Sequence, residues 1–353
     1  MKRLIAMLAA SILLVGVIAW GDARNGTRTD GLYYQASDIH PDAQLMKVNG
    51  EVVEAEEYFY WLTSVCDYLF SYAGGQLNFA APLTEEMTYG QYAKNDAAET
   101  VKLYAVVRQW AEREGITLTQ EDLDALDAQR EQYVTYYGGE EGYQQQLYLL
   151  GVSEECMRRI EEAPLLYNRI YEQYCLEDGS LYPGEEAVEA YAEENGFVTA
   201  YLLYFATEGL GQADLDALKS KAEDFAQQLR QAGDKAAVYE QLALQLGLDP
   251  SGGALTFDPK SSDADVCQAI SQLAAGEVSG VIEGANGYYV ALRQDLNLPV
   301  VAGELLNVQL EELLEKANVT YQQRLYDKID AGDFYQRLNE SRLAIMQANN
   351  TVS

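Results

Sequence analysis

The sequence predicts an α+β protein that consists of a mainly helical first region, an inserted α/β domain and a C-terminal helix. Three stretches of the chain support this order. Over residues 45–195, apolar side chains recur at helical spacing between glycine stops. Residues 197–296 contain short runs of β-branched and aromatic residues that alternate with helical patterns. Leucines at helical spacing return over residues 299–346.

The first residues predict membrane targeting. Two basic residues precede an uncharged run at residues 4–20. Such a run predicts a signal anchor or signal peptide within residues 1–22, with the rest of the chain outside the cytoplasm. Trp20 favours an uncleaved anchor at the membrane interface, and the small residue Ala23 allows cleavage after it as the alternative. We expect an extracytoplasmic protein that is anchored to the cell membrane by this helix, or secreted if it is cleaved.

Residues 23–44 are rich in Gly, Asp and Asn and show no helical or strand period, which predicts a linker. The chain's only histidine, His40, lies in this stretch before Pro41, where a solvated turn residue is expected. One histidine excludes histidine-based metal sites, Ser-His-Asp triads and Cys-His pairs unless His40 contributes. We predict no metal site and no cofactor.

Turn and cap signals divide the first folded region into successive helices. A short strand, an Asn49-Gly50 turn and a helix start are predicted within residues 45–57. Thr119, with Asp122 three residues later, predicts a capped helix start after a glycine stop. Further helices are predicted at residues 85–114, 141–150, 154–174 and 185–194.

Four phrases of the helical region follow a recognisable order. They are VNGEVVEAEE at residues 48–57, EGITLTQEDLD at 114–124, GGEEGYQQQL at 138–147 and Gly-Val-Ser at 151–153. In this order they resemble the N-terminal chaperone region of the PrsA and SurA foldases. The resemblance implies unfolded or exported polypeptides as partners. It also implies that the C-terminal helix packs back on the first domain.

A second resemblance is carried by residues 273–293, LAAGEVSGVIEGANGYYVALR. A leucine, two residues, Gly-Glu-Val-Ser, a short strand, a turn and Gly-Tyr follow each other as in the C-terminal half of a parvulin-type (PpiC) peptidyl-prolyl isomerase domain. The apolar strand that begins at Phe197 resembles the opening strand of such a domain. The resemblance implies a parvulin-like fold over residues 197–296.

The parvulin resemblance implies rotation about an X-Pro peptide bond, which needs neither a cofactor nor a covalent intermediate. In that family two facing histidines and a nearby Cys or Asp surround the twisting amide. The histidine positions here hold Leu202 and Tyr289, and Asp249 lies at the acidic position. Asp249 is otherwise expected as a turn residue before proline, and Tyr289 as a packing residue of its strand. We therefore predict that none of the three is catalytic.

The same resemblance implies an apolar pocket that binds the proline ring. Leu255, Phe257 and Val266 are its candidate substrate-binding residues. Val266 lies near the position of a family phenylalanine, and Ser262 lies near that of a methionine. We therefore expect a pocket that differs from that of the family.

Charge and cysteine content limit the remaining partners. The chain has 24 Lys and Arg against 56 Asp and Glu, a net charge of −32, which repels phosphate backbones and excludes nucleic acid as an expected partner. The 27 tyrosines indicate packing residues, with a polypeptide-binding surface as the alternative. No CxxC pair occurs, so a Cys156–Cys175 disulfide and buried free thiols both stay open. The other two cysteines are Cys66 and Cys267.

The sequence leaves three functions open. The first is an extracytoplasmic folding factor that binds unfolded polypeptides and has a parvulin-like domain of weak or no catalytic activity. The second is an active peptidyl-prolyl isomerase with a variant site. The third is a structural protein of the cell envelope that binds no client. An isomerisation assay separates the first two, and suppression of aggregation separates both from the third.

Overall fold

The computed structural model describes residues 25–350, so the predicted anchor at residues 1–22 lies outside the described residues. Within that part of the chain, none of the helices combines the length and apolar character that crossing a membrane requires. The described chain forms two compact units. Unit 1 combines the residues up to Ile170 with those from Glu311 onward, and unit 2 is Tyr171–Leu310. The sequence instead suggested boundaries near residues 196 and 298.

The elements follow the predicted order along the chain. Unit 1 begins with α1 (Leu32–Ser37), β1 (Gln44–Val48), β2 (Glu51–Glu54), α2 (Ala55–Tyr72), α3 (Tyr89–Glu114), α4 (Gln120–Tyr136), α5 (Glu140–Leu150) and α6 (Glu154–Cys175), whose last turn belongs to unit 2. Unit 2 continues with α7 (Glu185–Asn195), β3 (Val198–Ala206), α8 (Gln212–Gln231), α9 (Lys235–Gln245), β4 (Leu255–Phe257), α10 (Ala264–Ser271), β5 (Ile282–Gly284), β6 (Gly287–Gln294) and most of α11 (Leu298–Lys316). Unit 1 ends with β7 (Val319–Tyr321), α12 (Gln323–Tyr326) and α13 (Ala331–Asn350). The predicted α+β class is confirmed.

Side-chain caps fix where the long helices of unit 1 begin. The Thr119 hydroxyl accepts from the backbone N–H of Asp122, and the Asp122 carboxylate accepts from the backbone N–H of Thr119 at 2.8 Å. This is the capping box that the sequence predicted, and it satisfies two N–H groups that a helix start leaves without partners. Thr88 and Gln91 form the same arrangement at the start of α3. The positive φ of Gly115 then ends α3.

The prediction of a linker at residues 23–44 is wrong for its described part. This stretch contains α1, and Tyr33 on α1 is fully buried, with ring contacts to Phe59 at 5.7 Å and Phe334 at 5.9 Å. A helix of six residues is too short to show a period in the sequence, which is why it was missed. These other residues of the stretch are buried with it: Leu32, Ala36, Ile39 and Ala43.

His40 is not the solvated turn residue that the sequence predicted, because its ring makes two contacts within unit 1. Its Nδ1 lies 2.7 Å from the carbonyl oxygen of Arg28, and its ring stacks on Tyr34 with centroids 5.0 Å apart. The imidazole is therefore used within unit 1 to hold the segment around α1 in place.

The C-terminal region returns to unit 1, which confirms the prediction. Strand β7 pairs with β1, and β1 pairs with β2, in an antiparallel sheet of order β2-β1-β7. Helix α13 packs against α1, α2 and α3. The region is not the single continuous helix expected over 299–346, because the β-branched residues Val319 and Thr320 form β7 within it.

The possible disulfide between Cys156 and Cys175 is contradicted by the fold. The two residues lie at opposite ends of α6, about 28 Å apart at a rise of roughly 1.5 Å per residue. A disulfide requires Cα atoms within about 7 Å. All four cysteines of the described chain are free and buried.

Two adjacent buried carboxylates anchor the start of α2. Glu56, which is 1% exposed, accepts from Arg28 Nη1 at 2.9 Å and from Ser153 Oγ at 3.1 Å. The backbone N–H of Ser153 also donates to Glu56. Glu57 accepts from Arg108 Nη2 at 2.9 Å. Because Ser153 directly precedes α6, Glu56 ties the start of α2 to the start of α6.

Replacing Glu56 with glutamine is expected to destabilise unit 1 by about 2 kcal/mol, because a buried carboxylate loses its charge-assisted hydrogen bonds, although its partner Arg28 is 35% exposed. The new amide has only one oxygen, so its NH2 group must face either the N–H of Ser153 or Arg28 Nη1, both of which are donors. Urea unfolding followed by tryptophan fluorescence measures the change, since Trp61 lies on α2 and Trp110 on α3, both in unit 1.

The matched control is Glu155→Gln, close to Glu56's partner Ser153 in sequence. The Glu155 side chain is 87% exposed and lies 3.5 Å from Arg159, so its replacement is expected to change the free energy of unfolding by less than about 0.5 kcal/mol. Equal unfolding midpoints for the two variants would show that the Glu56 contacts contribute little.

Unit 2 is built on a four-stranded antiparallel sheet of order β4-β3-β6-β5. Helices α8 and α9 pack on one face through a core that includes Leu203, Phe205, Phe225 and Leu242. Helix α10 packs on the other face through Val266, Cys267 and Ile270. The strands predicted from the aromatic runs at Phe197 and Tyr288 are β3 and β6, the two central strands.

Candidate functional sites

The α10 side of the sheet in unit 2 collects most of the predicted site residues. Strand alternation puts Ala200 and Leu202 of β3 on this face. Phe257 of β4 pairs with Val198 and so points to the same side. Together with Val266 and Tyr289, the residues Leu202 and Phe257 pack on one apolar cluster beneath α10. We define the α10 face as this side of the sheet together with α10 and its N-terminal residue Asp263.

Tyr289 fills the space between β5 and α10. It pairs with Tyr204 of β3 and Ile282 of β5, and its ring lies 5.1 Å from the Tyr204 ring. A Cβ atom at Gly284 would lie 2.6 Å from Cε2 of Tyr289 and 2.9 Å from Cγ2 of Val266. Gly284 therefore leaves room for the Tyr289 ring, and that ring occupies one of the two histidine positions of the parvulin resemblance.

Tyr289 and Cys267 of the α10 face are neutral, and the Asp263 carboxylate accepts hydrogen bonds from backbone N–H groups. Burial raises the pKa of the Tyr289 phenol, and the neighbouring Tyr204 and Asp263 raise it further. Burial also raises the pKa of the Cys267 thiol, which keeps it protonated and unreactive. One Asp263 oxygen caps α10, and the other accepts from the N–H of Ala285 at 2.7 Å. The face therefore offers no free base at neutral pH.

Asp249 and Leu255 do not join this cluster. Asp249 is exposed, and its Oδ1 accepts from the backbone N–H of Ser251 at 2.9 Å, which lowers the pKa of its carboxyl group. This geometry is that of an Asx turn, as expected of Asp before Pro. Leu255 pairs with Ala200 and so points to the same side of the sheet, but at the sheet edge it is 54% exposed and lies outside the packed cluster. The assignment of Leu255 to the substrate-binding pocket stays a prediction, and so does the expectation that Asp249 is not catalytic.

Three residues of the α10 face were not singled out as part of a site from the sequence. Tyr204 follows Leu202 by two positions, so strand alternation would have placed it on the same face. Cys267 has no nearby sequence motif that would mark it as part of a site. Asp263 gives no local signal for its contact with Ala285, because that contact spans 22 residues.

Unit 1 contains a cleft of about 850 Å³ between the end of α2, the loop at residues 73–88 and the starts of α3 and α13. Its largest apolar lining residues are Phe70, Leu77, Phe79, Ile329, Tyr335 and Leu343. We call this space the unit 1 cleft. Across residues 25–350, no group of three or more His, Cys, Asp or Glu side chains is placed to hold a metal ion.

Residues 185–299 match the protein family described as the PPIC-type PPIASE domain. The chain carries a parvulin-type domain. The parvulin-type domain begins with α7, contains the whole four-stranded sheet and ends at the start of α11. The match confirms the resemblance seen in the sequence, and it covers less than half of the chain.

Solved structures similar to this chain include PrsA foldases and SurA-like chaperones. Foldase protein PrsA from Lactococcus lactis is 16% identical, with 83% of this chain and 98% of that chain covered and a TM-score of 0.31. PrsA from Streptococcus pneumoniae is 19% identical, with 75% and 92% covered and a TM-score of 0.28. A Campylobacter jejuni chain, from work on the SurA-like chaperones PEB4 and periplasmic Cj1289, is 14% identical, with 80% and 99% covered and a TM-score of 0.24.

Superpositions with TM-scores this low do not support a functional assignment. The functional assignment therefore depends on the family match of residues 185–299. No curated protein matches this chain.

Proposed function

We propose that the protein is an extracytoplasmic folding factor that binds unfolded polypeptides and whose parvulin-type domain has weak or no isomerase activity. One observation carries the proposal: the α10 face of a parvulin-type domain holds Leu202 and Tyr289 where the family resemblance implies histidines. The chain's single histidine, His40, belongs to unit 1 and is used there.

The chemistry of the α10 face supports weak catalysis. Rotation about an X-Pro bond must overcome a barrier of about 18–20 kcal/mol, set by amide resonance. Leu202 offers the twisting amide no polar group, and the neutral Tyr289 phenol offers one donor without a compensating charge. The Tyr204 hydroxyl already donates to the carbonyl oxygen of Asn286 at 2.9 Å. An active isomerase with a variant site would have to use these phenols together with Cys267 or Asp263 of the same face.

Polypeptide binding is assigned to unit 1 because the large cleft with an aromatic lining lies there. Apolar segments of an unfolded chain gain free energy by burying nonpolar area in such a cleft. The net charge of −32 keeps the complex soluble. The uncharged run at residues 4–20 supports attachment of the protein to the outer side of the cell membrane.

Suppression of client aggregation tests the folding-factor assignment. The full chain is expected to lower the light scattering of a thermally unfolded model protein when present at an equal molar concentration. An inert acidic protein at the same concentration is the control for unspecific charge effects. Scattering that is equal in the two samples would leave the third function, a structural envelope protein without clients, as the better description.

A further inference from the structure

The unit 1 cleft has an aromatic floor that is fixed in place. Tyr335 contacts Phe70 and Phe79, with ring centroids 5.6 and 5.5 Å apart. The Tyr335 hydroxyl donates to Asp67 at 2.7 Å, which orients the ring. Phe79 is the one buried residue of the fully described loop at residues 73–88. The buried Phe79 side chain therefore anchors this loop to the cleft.

Two glycines allow the loop to approach both neighbouring helices. A Cβ atom at Gly90 of α3 would lie 3.2 Å from the carbonyl oxygen of Phe79. A Cβ atom at Gly332 of α13 would lie 3.1 Å from Cβ of Phe79. The N–H of Gly90 also donates to that carbonyl oxygen at 2.8 Å. The floor is therefore preorganised, which lowers the entropic cost of binding a ligand on it.

The rim of the cleft is acidic. Its charged lining residues are Lys94, Asp330, Asp333 and Glu340. The three carboxylate side chains belong to exposed residues, whereas Lys94 Nζ donates to the carbonyl oxygen of Tyr326 at 3.2 Å and lies 4.5 Å from the Tyr326 ring centroid. Because the lysine is turned onto Tyr326, the cleft presents mainly negative charge to an incoming ligand.

We propose that the unit 1 cleft docks a polypeptide segment in which a large apolar side chain is flanked by lysine or arginine. This inference rests on the proposed function, because it names the class of client that the folding factor takes and where it binds. The apolar side chain packs on the floor of Phe70, Phe79 and Tyr335. The flanking cations lie against the acidic rim, where complementary charge speeds association and selects the partner.

Charge also argues against other occupants of the cleft. A second copy of this chain carries the same net charge of −32 and is repelled. Anionic lipid headgroups and acidic peptides are repelled for the same reason. A basic, apolar segment is the occupant that both the floor and the rim favour.

The test uses the full chain and two short fluorescein-labelled peptides that share a central tryptophan. One peptide has lysines on both sides of the tryptophan, and the other has glutamates. Binding is measured by fluorescence anisotropy at several salt concentrations. The lysine peptide is expected to bind at least about tenfold more tightly than the glutamate peptide, and its affinity is expected to fall as salt rises.

The test variant carries Asp333→Asn and Glu340→Gln together. Asp330 is left unchanged because its Oδ1 accepts from the N–H of Asp333 and so caps α13. The control variant carries Glu112→Gln and Glu131→Gln, which remove two exposed carboxylates from unit 1 outside the cleft. Circular dichroism confirms that both variants are folded.

The rim variant is expected to bind the lysine peptide about fivefold more weakly and with less salt dependence, while the control variant binds like the wild type. A third variant, Leu343→Ser, is expected to weaken binding without changing the salt dependence, because Leu343 lines the cleft and is 51% exposed.

Equal affinity of the rim variant and the wild type, equal affinity for both peptides, or no binding of the lysine peptide would each overturn the proposal. If the wild type still suppresses aggregation in any of these cases, the folding-factor function stands and only the cleft assignment is wrong. If suppression is absent while the lysine peptide binds the cleft as described, the folding-factor function fails and the cleft remains a peptide-binding site.

Discussion

The wild-type protein is expected to accelerate isomerisation of an X-Pro peptide by less than about tenfold, which corresponds to roughly 1.4 kcal/mol of transition-state stabilisation. Leu202 and Tyr289 stand at the positions where parvulin-type domains are expected to place imidazoles, and Val266 stands near that of a pocket phenylalanine. The Tyr289 ring also packs against Gly284 and Val266, so the face is filled by the protein's own side chains. Magnetisation-transfer NMR on a proline-containing peptide measures the exchange rate directly.

Restoring the two histidines tests whether the weak isomerase activity comes from the missing imidazoles or from the altered proline pocket. The double variant Leu202→His with Tyr289→His is expected to raise the exchange rate only partly, because Val266 offers the proline ring less contact area than the phenylalanine that the family resemblance implies. Tyr288→Phe, the neighbour of Tyr289 whose side chain packs on the opposite face of the sheet, is the matched control and is expected to leave the rate unchanged. A wild-type rate equal to that of an ordinary parvulin would show that the variant site is active.

The fold of unit 2 could be predicted because its signals are local. The alternating residues from Phe197 to Ala206 and the run after Gly287 belong to strands that pair along their whole length, so each carries its pattern in its own sequence. α1 could not be predicted, because six residues span less than two helical turns and its helical character depends on Tyr33 packing on Phe59 and Phe334.

The candidate sites also include features that the sequence predicts and features that it does not. The strands that carry Leu202 and Tyr289 could be predicted from the order of residues around them, and the two residues lie on the same face because β3 and β6 are neighbours. The unit 1 cleft could not be predicted, because Phe79 and Tyr335 are far apart in sequence and meet only when α13 returns to α3. Burial of Glu56 escaped prediction for the same reason, since its partners Arg28 and Ser153 are distant in sequence.

Removing the core of the parvulin-type domain is expected to leave client binding nearly intact. Suppression of aggregation should stay within about twofold of the wild type when a short Gly/Ser linker replaces residues 197–295, because the apolar area of the unit 1 cleft is unchanged. A short linker suffices, since Thr199 pairs with Gln294 and its hydroxyl accepts from the N–H of Asn297 at 3.2 Å. The two cut ends are therefore close together.

The residues of unit 2 that remain after this excision still contact one another. Gln309 Nε2 of α11 donates to the Tyr174 hydroxyl of α6 at 2.8 Å, and Gly303 allows α11 to approach the ring of Tyr171. Circular dichroism should therefore show intact helices, and light scattering of the unfolded client measures the activity. If the helices are intact but suppression is lost, and the isolated fragment of residues 197–295 suppresses aggregation by itself, the parvulin-type domain binds the client. That outcome would transfer polypeptide binding from the unit 1 cleft to the α10 face, where the exposed edge residue Leu255 and the partly buried ring of Phe257 would be the first residues to replace.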